Sequence, residues 1–137
     1  MAVISPDIRG LVPGLFAVDV ETSMATLESF VRLCFKRPPP SEELYLMLGY
    51  NAAVPPRVRQ ALFSRAFDND DVLAMIRKPV LITHGADDAV VDPIVVEQHR
   101  ALIPHAQVRI MAEAGHAPFL EDAAGFNRDL RAFVERL

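Results

Sequence analysis

The chain has 137 residues, 51% of them hydrophobic and 23% charged, which suits one folded domain and excludes a disordered segment. Its formal net charge is −4, and its basic residues form nothing longer than the dipeptides Lys36-Arg37 and Arg77-Lys78, so neither nucleic acid nor an anionic membrane is an expected partner. Cys34 is the lone cysteine and excludes an internal disulfide; no apolar run is long enough to span a bilayer and no signal-peptide pattern opens the chain, so a cytoplasmic protein is expected.

Residues 1–10 begin with Ala2-Val3-Ile4-Ser5, a short apolar run closed by Pro6-Asp7, which reads as one buried strand and its exit turn. Residues 11–77 read as short helices separated by prolines, a lid rather than a free-standing bundle. Met24, Leu27, Phe30, Val31 and Cys34 recur at helical spacing and predict an amphipathic helix, with Thr22 or Ser23 as its cap and Pro38-Pro39-Pro40 as its stop. Ser41 is the predicted cap of a second helix, with Glu42 and Glu43 suited to its dipole. Pro55-Pro56 opens a third, with Val58, Leu62, Phe63 and Ala66 on one face. Asp70 or Asp71 starts a fourth, running through Met75.

Residues 78–137 alternate strand, helix, strand, helix. Val80-Leu81-Ile82-Thr83 is the first strand, and Asp92-Pro93 starts a helix that runs to about Leu102 and ends before Pro104. Gln107-Val108-Arg109-Ile110-Met111 is the second strand, and the final helix carries Phe126, Leu130, Phe133, Val134 and Leu137 on one face. This alternation predicts an α/β fold with parallel strands joined by right-handed crossovers. Two or three strands leave open edges, which predicts association with something else.

The chemistry-bearing positions follow the strands. Asp88 lies beyond the first strand and His116 beyond the second, and adjacent parallel strands bring both turns to one edge of the sheet. A carboxylate there can fix a histidine tautomer and leave the other ring nitrogen free to take a proton. Gly85 and Gly115 are read as giving the backbone freedom to turn sharply. Asp87 is the expected structural neighbour, although the two acids could be exchanged. His84 is expected to pack or bond within the turn, and His99 and His105 to lie on a helix surface and a loop. A metal set of His84, Asp87, Asp88 and His116 matches no zinc framework.

The nucleophile such a pair should serve has no recognisable motif. Ser5, Ser23, Ser29, Ser41, Ser64 and Cys34 all lack the flanking glycines of a strained elbow. Ser5, ending the first strand, is the least poor option, and Asp7 beyond it could be a second acid lining the same pocket. Cys34 is expected to be a buried apolar residue.

His84-Gly85-Ala86-Asp87-Asp88-Ala89-Val90-Val91 and Gly115-His116-Ala117-Pro118-Phe119-Leu120-Glu121 through Phe126 resemble the C-terminal part of an α/β-hydrolase. One departure is Ala123, where proline is usual. The resemblance implies the C-terminal portion of a hydrolase sheet with flanking helices, preceded by a helical cap. It implies that Asp88 and His116 are the acid and histidine of a triad, and that Glu121 is a structural acid. It also implies cofactor-free hydrolysis of a small apolar ester or a related acyl or carbon–carbon substrate. The G-x-S-x-G elbow is absent, so the chain alone is expected to be inactive. Its expected partner is a second copy or an N-terminal hydrolase fragment that restores the enzyme. The alternatives are a non-catalytic assembly module and a fragment of a longer hydrolase.

Overall fold

A computed structural model describes residues 4–65 and 69–137. Four helices come first: α1 (Pro6–Leu15), α2 (Val20–Leu33), α3 (Ser41–Ala52) and α4 (Pro56–Phe63). A short α5 (Asp70–Ala74) leads to β1 (Leu81–Gly85), α6 (Ile94–Leu102), β2 (Gln107–Met111), α7 (Pro118–Glu121) and α8 (Ala123–Val134).

The first segment departs from expectation. Ala2 and Val3 of the predicted Ala2–Ser5 strand lie outside the described residues; Ile4 makes a single antiparallel bridge to Val91. The helical block begins at Pro6, inside the stretch expected to be an exit turn. The reason is local: Ser5 has extended torsions, its hydroxyl accepts from the Ile8 N–H at 3.3 Å, and Pro6 follows at the first helical position.

The expected stripe on α2 holds, with Leu27 and Val31 buried. Its cap is Asp19 rather than Thr22 or Ser23: the Asp19 carboxylate accepts from the Thr22 N–H at 2.8 Å. Ser41 is likewise not a cap but the first residue of α3, preceded by Pro40, which offers no side-chain bond. Leu15 of α1, Leu27 of α2 and Leu48 of α3 form one apolar cluster, with Phe16, Met24 and Phe30 packed against it. Phe16 also meets Phe63 edge to face, with ring centroids 5.6 Å apart.

On α4 the predicted apolar face is reversed. Val58, Leu62 and Phe63 are exposed and Arg59 is buried; Ala66 lies outside the described residues. The Arg59 guanidinium donates to the carbonyls of Leu15 (2.7 Å), Asn51 (3.1 Å) and Val54, and to Ser23 Oγ (3.0 Å). Leu15 ends α1, while Asn51 and Val54 lie at the end of α3, so the cation sits where helix-terminal carbonyls and helix dipoles concentrate negative charge.

β1 and β2 pair in parallel, with Leu81 opposite Gln107, His84 opposite Ile110 and Gly85 opposite Met111. The connection through α6 makes a β-α-β unit, as the alternation predicted. β1 is half-buried up to the buried Gly85, whereas β2 is mostly exposed, with Ile110 at 52%. Only part of the expected α8 face is covered: Gly125 and Phe133 are buried, while Leu130, Val134 and Leu137 are 40%, 54% and 73% exposed.

Candidate active site

The turn after β1 presents Asp88, whose side chain is only 3% exposed. Asp88 Oδ1 accepts the Val90 and Val91 N–H groups at 2.8 and 2.9 Å. Asp88 Oδ2 lies 3.0 Å from Nδ1 of His116, on the turn after β2. Burial pushes the Asp88 carboxyl up, but hydrogen bonds from His116, Val91 and Val90, and the attraction of His116, outweigh it and hold the group below its ordinary value. The carboxylate is therefore ionised and can only accept, so Nδ1 of His116 is the donor and Nε2 is left as the basic nitrogen. His116 is 40% exposed and lines a groove.

The structure distinguishes the two adjacent acids. Asp87 turns outward, to Lys36 Nζ at 2.8 Å. Lys36 also meets Glu113 at 3.2 Å and donates to the Ala112 carbonyl at 3.2 Å. The Lys36 backbone N–H and the Gly115 N–H both donate to Glu121, each at 2.7 Å. Glu121 thus ties the segment after α2 to the histidine turn, and its two oxygens span residues far apart in sequence. Lys36 was missed in the sequence, where it looked like half of a dispersed basic dipeptide. Its one available signal was an unusual share of acids, Asp87, Glu113 and Glu121, near the two motif turns.

Close approach, not torsional freedom, explains the glycines. No described residue has a positive φ, so the sharp turns expected at Gly85 and Gly115 are made without the left-handed torsions that favour glycine. A Cβ on Gly85 would overlap the carbonyl oxygens of Gly115 and Ala114, and one on Gly115 would crowd the Lys36 backbone nitrogen. The strand end carrying the acid and the turn carrying the histidine therefore touch through main-chain atoms. Gly85→Ala is expected to cost about 2 kcal/mol or more, because backbone must move to admit the methyl group. Urea unfolding of the variant beside the parent measures this; an unchanged midpoint would show that the turns are not in contact.

The other candidates are placed elsewhere. Ser5 is occupied: its hydroxyl caps α1 and donates to the Ala89 carbonyl. Asp7 is exposed in the first turn of α1 and does not line the groove, which corrects its reading as a second pocket acid. Ser29 and Ser64 bond back to helix carbonyls, and Ser23 accepts from Arg59. Among the described residues, no hydroxyl or thiol hydrogen-bonds to His116.

Burial, then the charges of Asp88 and Glu121, push the Cys34 thiol up to about 11. Since the thiolate is the reactive form, iodoacetamide at pH 8 is expected to label native Cys34 at least about 100-fold more slowly than the urea-unfolded chain, with the native rate rising as pH climbs. Equal labelling of both states, followed by mass spectrometry, would contradict this.

The groove has a volume of about 1280 Å³ and combines His116, Asp88 and His84 with apolar Ile82, Val95 and Phe119. His99, expected on a helix surface, is half-buried in its wall, whereas His105 is exposed on its loop. Because Asp87 faces Lys36, the four-residue metal set is not assembled; among the described residues, no group of three or more His, Cys, Asp or Glu could hold a metal ion. No described helix is long and apolar enough to cross a membrane.

Residues 7–123 match a family model described as alpha/beta hydrolase fold. Among solved structures, the esterase RhEst1 from Rhodococcus sp. ECU1013 superposes with a TM-score of 0.89 at 32% identity, over 97% of this chain and 49% of that one. A Burkholderia cenocepacia protein described as an aryl esterase gives 0.89 at 31% identity, over 98% and 49%. Among curated proteins, Lipase 3 of Moraxella sp. (strain TA144) is 33% identical over 66 residues, 48% of this chain and 21% of the lipase. The chain thus spans about half the length of these solved structures, and its match covers a smaller part of the lipase.

Proposed function

Because the chain belongs to the α/β-hydrolase family, we propose that it carries the acid and the base of a serine hydrolase, Asp88 and His116, and that the nucleophile comes from outside these 137 residues. The observation that supports this reading is the 3.0 Å contact between Asp88 Oδ2 and His116 Nδ1, at the carboxyl ends of two adjacent parallel strands. In the complete enzyme, a serine hydroxyl attacks the ester carbonyl while His116 Nε2 takes its proton. The imidazolium is stabilised by Asp88 and returns the proton to the leaving alcohol as the acyl-serine forms. Water, deprotonated by the same nitrogen, then cleaves the acyl-serine and releases the acid. The apolar wall of the groove favours a small apolar ester, in keeping with the esterases and the lipase the chain resembles.

The test is an esterase assay with p-nitrophenyl butyrate. The purified chain alone is expected to show no turnover that depends on His116. Co-expression with the N-terminal half of a related esterase, carrying G-x-S-x-G, is expected to restore it. Turnover by the chain alone that His116→Ala abolishes would place the nucleophile within this chain, and no turnover from any co-purifying pair would overturn the reading.

A second reading, association without catalysis, draws on the uncovered apolar residues of β2 and α8, Ile110, Leu130 and Val134. Self-pairing would give a dimer by light scattering with no activity in either preparation. A complementing fragment would instead compete with the dimer.

A further inference from the structure

His84 belongs to the described site by position yet has no part in the chemistry above. It is the penultimate residue of β1, four residues before Asp88, and its side chain is 12% exposed. Its Nε2 is fully shielded from solvent and makes no hydrogen bond of acceptable geometry; its polar neighbour is Asp88 Oδ2, at 3.4 Å. A buried ring nitrogen without a partner is costly, so this orphan calls for an explanation.

An ionised carboxylate offers about four lone-pair positions. On Asp88, the Val90 and Val91 N–H groups take those of Oδ1, and His116 Nδ1 takes one on Oδ2. The remaining one belongs to Oδ2, the atom that His84 Nε2 approaches. If Nε2 were unprotonated, its lone pair would face a negative oxygen inside a shielded pocket. If it carries the proton, both groups are satisfied by a small rotation of either side chain.

We propose that His84 is a positioning residue: its Nε2–H is the fourth donor to Asp88, holding Oδ2 in line with His116 Nδ1. The carboxylate is then fixed on one oxygen by the main chain and on the other by two imidazoles. Its orientation no longer depends on His116, which must move charge during turnover. This rests on the Asp88–His116 pair of the proposed function, but its readout is the pair itself and requires no turnover. A failed esterase assay therefore leaves it standing, and a failed result below leaves the esterase reading standing.

The experiment is NMR of the full chain labelled with ¹⁵N. In the parent, long-range ¹H–¹⁵N spectra are expected to show His84 as the Nε2–H tautomer, and a low-field proton for the His116 Nδ1–H bond to Asp88. His84→Phe is expected to speed exchange of that low-field proton with water about tenfold, as one of the two restraints on Oδ2 is lost. His84→Gln, which keeps an N–H at similar reach, is expected to restore slow exchange. A parent His84 in the Nδ1–H tautomer would overturn the proposal without any variant, so misfolding of His84→Phe cannot shelter it. So would a low-field signal that exchanges equally slowly in parent and His84→Phe.

Discussion

Asp88→Asn in the complemented enzyme is expected to lower kcat about 10⁴-fold while leaving KM within a few-fold. The amide keeps the size of the side chain but cannot play the same part. It has one oxygen where the carboxylate has two, and that oxygen cannot serve Val90 and Val91 on one side and His116 on the other. If the oxygen stays with the main-chain donors, the amide N–H₂ faces Nδ1 of His116, moves the imidazole proton to Nε2 and removes the base. His116→Ala should fall as far, and the double variant little further, because the two act as one unit. Asp87→Asn is the control: its partner is Lys36 in a solvent-exposed network, so kcat is expected to change less than about threefold. Equal losses at Asp87 and Asp88 would mean that the acid has been misassigned. Stability follows the same carboxylate. The Asp88 carboxyl is held below its ordinary 3.8, so its contribution is complete above that pH and is lost as pH falls through the lower folded value. An acid-unfolding series on parent and Asp88→Asn should show a shallower dependence in the variant.

Arg59→Met is expected to destabilise the chain by about 3 kcal/mol or more, because three carbonyls and a serine hydroxyl lose a charged donor in a largely buried site. For a chain of this size that lowers Tm by about 10 °C. The aliphatic part of methionine replaces the arginine stem, so the loss reports the guanidinium and not a cavity. Arg59→Lys should recover only part of it, since a single ammonium cannot span acceptors on α1, α2 and the end of α3. Calorimetry on the three proteins decides the matter; a Tm within 2 °C of the parent for Arg59→Met would show that the four bonds are replaced by water. Beside the apolar contacts of α1 to α3, centred on the Leu15, Leu27 and Leu48 cluster, Arg59 is the buried polar group that ties α4 to them.

The two strands, the helix between them, and the meeting of Asp88 with His116 were legible in the sequence because each rests on short-range pattern. An apolar run of strand length ends in an acid-bearing turn, a second ends in a Gly-His turn, and parallel pairing carries both to the same edge. The α2 stripe was legible for the same reason, since helical period is a local property. Cap choice was less so: Asp19, Thr22 and Ser23 are all competent cap residues, and Asp19 takes the role.

Contacts between distant segments settled what remained. Arg59 is flanked by Val58, Leu62 and Phe63, and any count of hydrophobicity turns α4 the wrong way; the carbonyls at the ends of α1 and α3 turn it back. Lys36 and Glu121 are 85 residues apart, and nothing local shows that a main-chain N–H at one will be met by a carboxylate at the other. Gly85 reads in the sequence as a sharp exit turn, whereas in the structure it lets the Ala114-Gly115 carbonyls lie against it. Periodicity and turn chemistry act within a few residues and are written in the sequence. The pairing of orphaned polar groups, and the space a missing side chain leaves, exist only once the whole chain has closed around them.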